Sequence, residues 1–521
     1  VSHPDSPIPN QRSLSESLAF GAAWMIGARF AFRVIGVVST VVLARLLLPE
    51  DFGLVALAMI VIGLLDLFSE FGFDLALIQN QRATRDHYDT VWTLSLLRGG
   101  LTAGVLILGA PWLADFFNEP RLEEVVYVLA LVPLITQSKN PGTADFRKHL
   151  NFRREFVFMV APKFLRFLVT LAIAVVWQSY WALVAGILSY RALQLGASYL
   201  MHSFRPRLSL KAWREVIGFS QWLFVTTTMD AIRQKSSAMI LGRVAGTSML
   251  GIFTVAQEIA NLATSELVAP IRRALFPGYA KIQDDRAQLR ESFVGGCGLL
   301  IVVTMPIVIG IGLTAEHLVP VLLGGNWLAA IPFVQVLTLA GLIAGCRGLA
   351  RPLYMAINRP EVGAYLSILE AALFVGLILT GYLWYGPIGI AWAAAVSEAA
   401  MLVLDVWMLR RLLGVRVGDW LVRVWRPTAA AAAMGACVYA LDQQLADAQG
   451  LLAHLGVLAA CASLGGIVYA ASLFGLWTVS GRPVAAPERM LAAFAAGKLA
   501  GRLRRRQPTP AEEHFPPRTA S

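Results

Sequence analysis

Long apolar runs, each closed by a short polar break, succeed one another along most of this chain. A helix that crosses hydrocarbon needs about 20 mostly apolar residues. Runs near that length occupy 18–48, 52–77, 91–114, 156–177 and 181–201, with a shorter one at 125–137. The scheme repeats at 216–241, 250–276, 293–313, 331–350, 362–382 and 389–409, and a last pair follows at 428–441 and 451–476. The pattern predicts an all-α polytopic membrane protein with fourteen transmembrane helices. The expected division is a cytoplasmic tail at 1–17, an N-terminal six-helix lobe at 18–205 and a linker at 206–215. A C-terminal six-helix lobe at 216–411, a basic cytoplasmic loop at 412–427, an extra helix pair at 428–476 and a basic tail at 477–521 follow. Part of that tail reads as disordered, and 488–503 reads as an interfacial helix.

One stretch ties the two lobes together. LARLLLPEDFGLVALA (43–58) has a partner in LGRVAGTSMLGIFTVA (241–256), at a constant offset of 198 residues. Arg45 then aligns with Arg243, Gly53 with Gly251 and Ala58 with Ala256. Each copy closes one apolar segment, makes a polar turn and opens another, so the chain reads as two related lobes. Internal repeats of this kind are common in secondary transporters. Arg45 and Arg243 sit at segment ends and are expected to serve as anchors.

Loop charge tests the count independently. One set of breaks carries Arg85, then Arg147, Lys148, Arg153 and Arg154, then Arg205, Arg207, Lys211 and Arg214, and the later breaks of that set are also basic. The opposite set carries Asp115, Glu119, Glu316, Asp442 and Asp447. Positive charge gathers on the cytoplasmic side, which puts both termini in the cytoplasm of a bacterial inner-membrane protein. Composition agrees: 57% of residues are hydrophobic and 15% charged, with mean hydropathy +0.62. The net charge of +11 would point to nucleic acid in a soluble protein. Here basic loops against an anionic membrane surface account for it, and no nucleic-acid partner is expected. Four cysteines stand singly in apolar segments, which excludes a disulfide framework. The polar start leads into a run too long for the core of a signal peptide, so no cleavable leader is expected.

Ionisable residues inside the apolar runs carry the chemistry, because such side chains face a protein interior or a wet cavity. Arg29 and Arg33 share one face of the first segment, and Asp66, Glu70 and Asp74 repeat the same spacing on the second. A pairing of Arg33 with Glu70 is expected to brace the lobe. Arg98, Arg166 and Arg191 add positive charge, and Asp230, Glu258, Glu370 and Glu398 lie in the second half. Asp74, Arg166, Arg233, Lys235, Glu266 and Asp405 are expected near interfaces, where long side chains reach water. Several guanidiniums lining one cavity favour a multivalent anion, since Arg presents directed donors to phosphate oxygens. No phosphate-binding GxxxxGK[ST] loop or HExxH pair occurs, and nothing in the chain reads as an enzyme, a metal site or a cofactor site.

LARLLLPEDFGLVALA, with DLFSEFGFDLALIQ (66–79) and HYDTVW (87–92) after it, resembles the polysaccharide-exporter branch of the multidrug/oligosaccharidyl-lipid/polysaccharide flippase superfamily. The likeness extends over 14–476 in segment order. It implies a fold like that of the multidrug exporters of this superfamily (MATE-like), with two lobes moving by alternating access. The implied cargo is an undecaprenyl-pyrophosphate-linked oligosaccharide repeat, moved from the cytoplasmic to the periplasmic leaflet for a polymerase and export machinery on that side. By this analogy Arg29, Arg33, Arg98 and Arg191 would contact pyrophosphate or acidic sugar. Asp66, Glu70, Asp230 and Glu258 would serve ion coupling, with H+ or Na+, or gating. A small-cation antiporter of the same fold is the alternative the residues leave open.

Overall fold

The computed structural model describes residues 11–69, 77, 83–148, 151–213, 221–445, 450–483 and 488–489. Glu70, Asp74 and most of the proposed 488–503 helix lie outside them, and the side chains of Asp66 and Asp230 are likewise not described. The described residues are almost entirely helical.

The first bundle comprises α1 (Gln11–Leu46), α2 (Pro49–Ser69), α3 (Arg85–Phe117), α4 (Arg121–Leu129), α5 (Leu131–Gln137), α6 (Phe152–Trp177) and α7 (Trp181–Met201). Its boundaries follow from local chemistry. Pro49 opens α2, where its missing N–H costs nothing. Asp51 accepts from the backbone N–H of Leu48 at 2.9 Å and from that of Tyr180 at 3.0 Å. One short turn thus also ties α2 to the start of α7. α3 and α6 both end at residues in left-handed conformation, Asn118 and Gln178. The short apolar run at 125–137 is realised as α4 and α5, two helices that meet at Ala130.

The second bundle comprises α8 (Gln221–Lys281), α9 (Arg286–Leu313), α10 (Ala315–Leu322), α11 (Ile331–Arg347), α12 (Ala350–Ala356), α13 (Pro360–Tyr385) and α14 (Pro387–Leu413). α8 holds two of the expected segments, broken at Gly246, whose φ of 79° and ψ of 178° suit only glycine. α15 (Val417–Gln444) and α16 (Leu451–Val479) complete the chain. The stretch expected as a basic loop at 412–427 is helical from Val417 onward. Asp419 accepts from the Arg416 N–H at 3.2 Å and starts the helix early. Among the described residues, nine segments are long and apolar enough to cross a membrane.

Within the first bundle α1 packs on α6, α6 on α7 and α3 on α4 and α5. Within the second, α8 packs on α11 and α13, and α14 packs on both. α2 lies along α8 and joins the bundles, while α15 and α16 pack beside α9 and α10. The helix pair is fastened by Tyr469, which donates to the Val302 carbonyl at 2.8 Å, and by His317, 3.1 Å from Asp442. The inter-lobe strand is stitched to α3: Asp89 accepts from the Arg207 N–H at 2.8 Å, Thr93 from Ser209 at 2.9 Å and Thr90 from Ala212 at 3.2 Å. These buried polar groups explain the HYDTVW run, which sequence reading associates with no structural task.

Candidate functional site

Two groups of buried charge and one seam between the bundles define the site. The first group lines the N-terminal bundle. α1 supplies Arg33, α6 supplies Lys163 and Arg166 three residues apart on one face, and α7 supplies Arg191. Lys163 lies within electrostatic range of Arg33, Arg166 and Glu258, and Arg166 within range of Arg191 and Glu258. The Lys163 ammonium sits 4.4 Å from the Phe32 ring centroid, and Arg166 and Arg191 lie 5.8 Å and 5.5 Å from that of Tyr190. Among the described residues no carboxylate comes within ion-pair distance of Lys163, Arg166 or Arg191. Glu258 comes from the second bundle and accepts from Thr40 of α1 at 3.1 Å. Among the described side chains, the carboxylate within electrostatic range of Lys163 and Arg166 is thus Glu258, and it belongs to the other lobe.

Of the residues singled out from sequence, Arg33 and Arg191 are in this wall and Arg29, on α1, is exposed. Arg98 lines a different cavity of about 290 Å³, with Trp92, Ser95, Gln137 and Lys139. Lys163 escaped sequence reading because a single lysine in a 22-residue apolar run looks like an interfacial anchor.

The second group is charge-balanced. Arg347, at the end of α11, donates to Glu370 of α13 at 2.9 Å and to Glu398 and Asp405 of α14, the latter at 3.0 Å. Arg233 of α8 reaches Glu370 at 3.0 Å and Glu398 at 3.1 Å, and Arg351 lies 3.7 Å from Glu370. Tyr354 donates to Asp405 at 3.1 Å. The Arg347, Glu370, Glu398 and Asp405 side chains are at most 9% exposed. Arg233 and Asp405, expected near interfaces, are thus part of an internal network. Glu398 and Asp405 are seven apart, on one helix face, and two buried acids on one face call for a cation. That was the available signal for Arg347, which reads in sequence as one more loop cation before Arg351.

The seam is reciprocal. A Cβ at Gly53 would stand 1.7 Å from the Thr247 carbonyl oxygen, and one at Gly251 would stand 1.8 Å from that of Pro49. The two repeats therefore meet each other, glycine to glycine, where α2 crosses α8. Their arginines also cross. Arg45 donates to the Val321 carbonyl near the end of α10. Arg243 lies 5.6 Å from the Phe116 ring centroid, and Asn118, with its amide oxygen turned toward the guanidinium, accepts at 2.6 Å. Each arginine so meets the carbonyl-rich end of a helix in the other bundle, where positive charge is favourable. Trp327 is fully buried against Phe52 at 5.2 Å and donates to the Ala44 carbonyl at 2.8 Å. The expected anchors are bridges between bundles.

Glu119 adds a titratable contact to this seam. It is held by Arg121 at 2.8 Å and accepts from Thr247 at 3.4 Å. The Arg121 guanidinium keeps its carboxyl below the ordinary glutamate value of 4.5. A depressed carboxylate pKa contributes stability that is complete above the unfolded value and is lost as pH falls through the folded one. The folding stability of the detergent-solubilised chain is expected to keep the Glu119 contribution from pH 7 down to 4.5 and to lose it only below that. Glu119→Gln removes that acid limb; a Glu119-dependent loss of stability that begins above pH 4.5 contradicts the assignment.

Comparison with known proteins follows this geometry closely. The model of the polysaccharide biosynthesis protein family matches residues 42–332, which span the first repeat, the inter-lobe strand and the second repeat. The chain belongs to that family. It is 25% identical over 420 residues to the lipopolysaccharide biosynthesis protein WzxC of Escherichia coli (strain K12), covering 80% of this chain and 85% of the relative. Among solved structures it is similar to the lipid II flippase MurJ in an inward closed conformation, with TM-score 0.71, 13% identity, and coverage of 88% of this chain and 100% of that one. It is also similar to an inward-facing multidrug-resistance MATE transporter of the MOP superfamily, with TM-score 0.59, 15% identity, and coverage of 74% and 94%. The fold is therefore the two-bundle MATE-like fold, and the chain is a multi-pass membrane protein.

Proposed function

We propose that this protein carries a lipid-linked oligosaccharide across the bacterial inner membrane, from the cytoplasmic to the periplasmic leaflet, without making or breaking a bond. The observation that carries the reading is the cationic wall of Lys163, Arg166 and Arg191, which no described carboxylate meets at ion-pair distance, with Arg33 beside it and Glu258 of the other lobe within electrostatic range. Burying cations without counter-charge is costly, so such a wall is retained for an anion that arrives from outside. A prenyl-linked pyrophosphate supplies multivalent charge with oxygens that guanidinium donors match, while its apolar tail stays in lipid. A cargo of small cations would meet repulsion there.

The distribution of basic loops supports a topology with the Gly53–Gly251 seam on the periplasmic side and both termini in the cytoplasm. The seam then closes the periplasmic exit while the headgroup enters from the cytoplasm. Entering phosphate competes with Glu258 for the wall and weakens the Thr40–Glu258 bridge between lobes. Glu258, together with Asp66, Glu70 and Asp230, also stands as the candidate set for coupling to H+ or Na+. A downstream polymerase that consumes the flipped repeat would draw the cycle forward.

Reconstitution in liposomes with a fluorescent undecaprenyl-pyrophosphate oligosaccharide tests this, with sidedness read by a membrane-impermeant quencher. The wild type is expected to equilibrate the label across the bilayer. Lys163→Ala with Arg191→Ala is expected to slow it at least tenfold at unchanged folding. Unchanged sidedness with the wild type, or full speed with the double variant, ends the proposal.

A further inference from the structure

Beyond the cationic wall, the balanced network of the second bundle floors a cavity of about 360 Å³. We propose that this cavity is a subsite for a neutral sugar ring of the transported headgroup, an inference that rests on the function proposed above. Its walls come from five helices: Arg233 and Gln234 of α8, Arg347 of α11, Arg351 and Tyr354 of α12, Ser367 and Glu370 of α13, and Glu398 and Asp405 of α14.

Charge decides the class of ligand. Among the described side chains, three guanidiniums, of Arg233, Arg347 and Arg351, face three carboxylates, of Glu370, Glu398 and Asp405. An entering anion meets as much negative as positive charge, and a cation fares no better. Ion pairing leaves the network neutral yet crowded with fixed donors and acceptors. A hydroxyl both donates and accepts, so adjacent sugar hydroxyls complement alternating guanidinium and carboxylate edges where a phosphate complements only the former. Size agrees, since the volume lies at the lower end of the roughly 300–1,000 Å³ typical of small-molecule sites, room for one ring rather than an oligosaccharide.

Position links the cavity to the path. Gln234 is exposed at its edge. Its neighbour Arg233 enters the network, and its other neighbour Lys235 places its ammonium 3.5 Å from the Cβ position of Gly63 on α2. The cavity therefore opens beside the face of α8 that turns toward α2. Ser367, 3.4 Å from Arg351, adds a hydroxyl within it. One lobe takes charge and the other takes hydroxyls, which accounts for Ala231 and Gly389 standing where the 198-residue offset would repeat Arg33 and Arg191.

The detergent-solubilised full chain is to be titrated with methyl glucoside, methyl galactoside, methyl mannoside, methyl glucuronoside and inorganic pyrophosphate, read by saturation-transfer NMR for the glycosides and calorimetry for pyrophosphate. At least one neutral glycoside is expected to bind, more tightly than the glucuronoside. Gln234→Leu and Ser367→Ala, neither of which removes an ion pair, are each expected to weaken that glycoside at least fivefold and leave pyrophosphate unchanged. Absence of neutral glycoside binding, indifference to both variants, or preference for the glucuronoside overturns the subsite. Pyrophosphate binding that ignores Lys163→Ala with Arg191→Ala instead strikes the transport reading, so the two failures separate.

Discussion

Arg347→Met is expected to destabilise the protein by about 3–5 kcal/mol, the range for breaking a buried ion pair from one side. Methionine fills similar space but leaves Glu398 and Asp405 short of their cation, with Glu398 held by Arg233 alone and Asp405 by Tyr354. Glu370 keeps Arg233 and Arg351, so the loss concentrates on α14. Arg347→Lys is expected to recover only part of the deficit, because an ammonium cannot present a planar fork to three carboxylates. Adding Glu398→Gln and Asp405→Asn to Arg347→Met removes the stranded charge and is expected to restore most of the stability. Unfolding in mixed micelles measures each step. A single Arg347→Met variant within about 0.5 kcal/mol of wild type, the level of a surface substitution, would mean that the network contributes nothing.

Gly53→Ala and Gly251→Ala are expected to open the seam. A methyl at either position falls inside a backbone carbonyl of the other bundle, and backbone cannot rotate away as a side chain does. Overpacking typically costs about 1–3 kcal/mol, here charged to the closed arrangement alone, and a coupling of that size shifts populations about 5- to 150-fold. Alanine also favours the helix itself over glycine, so each bundle should stay folded. Spin labels at the exposed Glu124 and Leu328, in a chain with Cys437→Ser, are expected to move apart in both variants, and equilibration of lipid-linked oligosaccharide should slow because the exit no longer seals. Short separation retained in both variants would show that the contact yields without consequence.

Much of the architecture could be read from residue order. The apolar runs placed the helices because each must hide its backbone in lipid or protein. The repeat at 43–58 and 241–256 was visible because both Arg and Gly keep their spacing. What those residues do was not, since the meeting of Gly53 with Gly251 depends on how two distant helices cross. The same limit hid the network. Arg347 contacts acids 23, 51 and 58 residues away, and no periodicity within one helix encodes a partner on another. Arg29 and Arg33 look equivalent four residues apart, yet one is exposed and the other half-buried, because a helix face is defined only by what packs against it. The early start of α15 came from Asp419, a polar residue whose capping role is easily mistaken for a loop signal.

The stitching of the inter-lobe strand along α3 has a mechanical corollary. With Arg207, Ser209 and Ala212 pinned to Asp89, Thr93 and Thr90, the segment that leaves the first bundle travels with α3. The lobes thus behave as a see-saw whose pivot is glycine on glycine, with the connecting segment riding on the first arm rather than bending between the two.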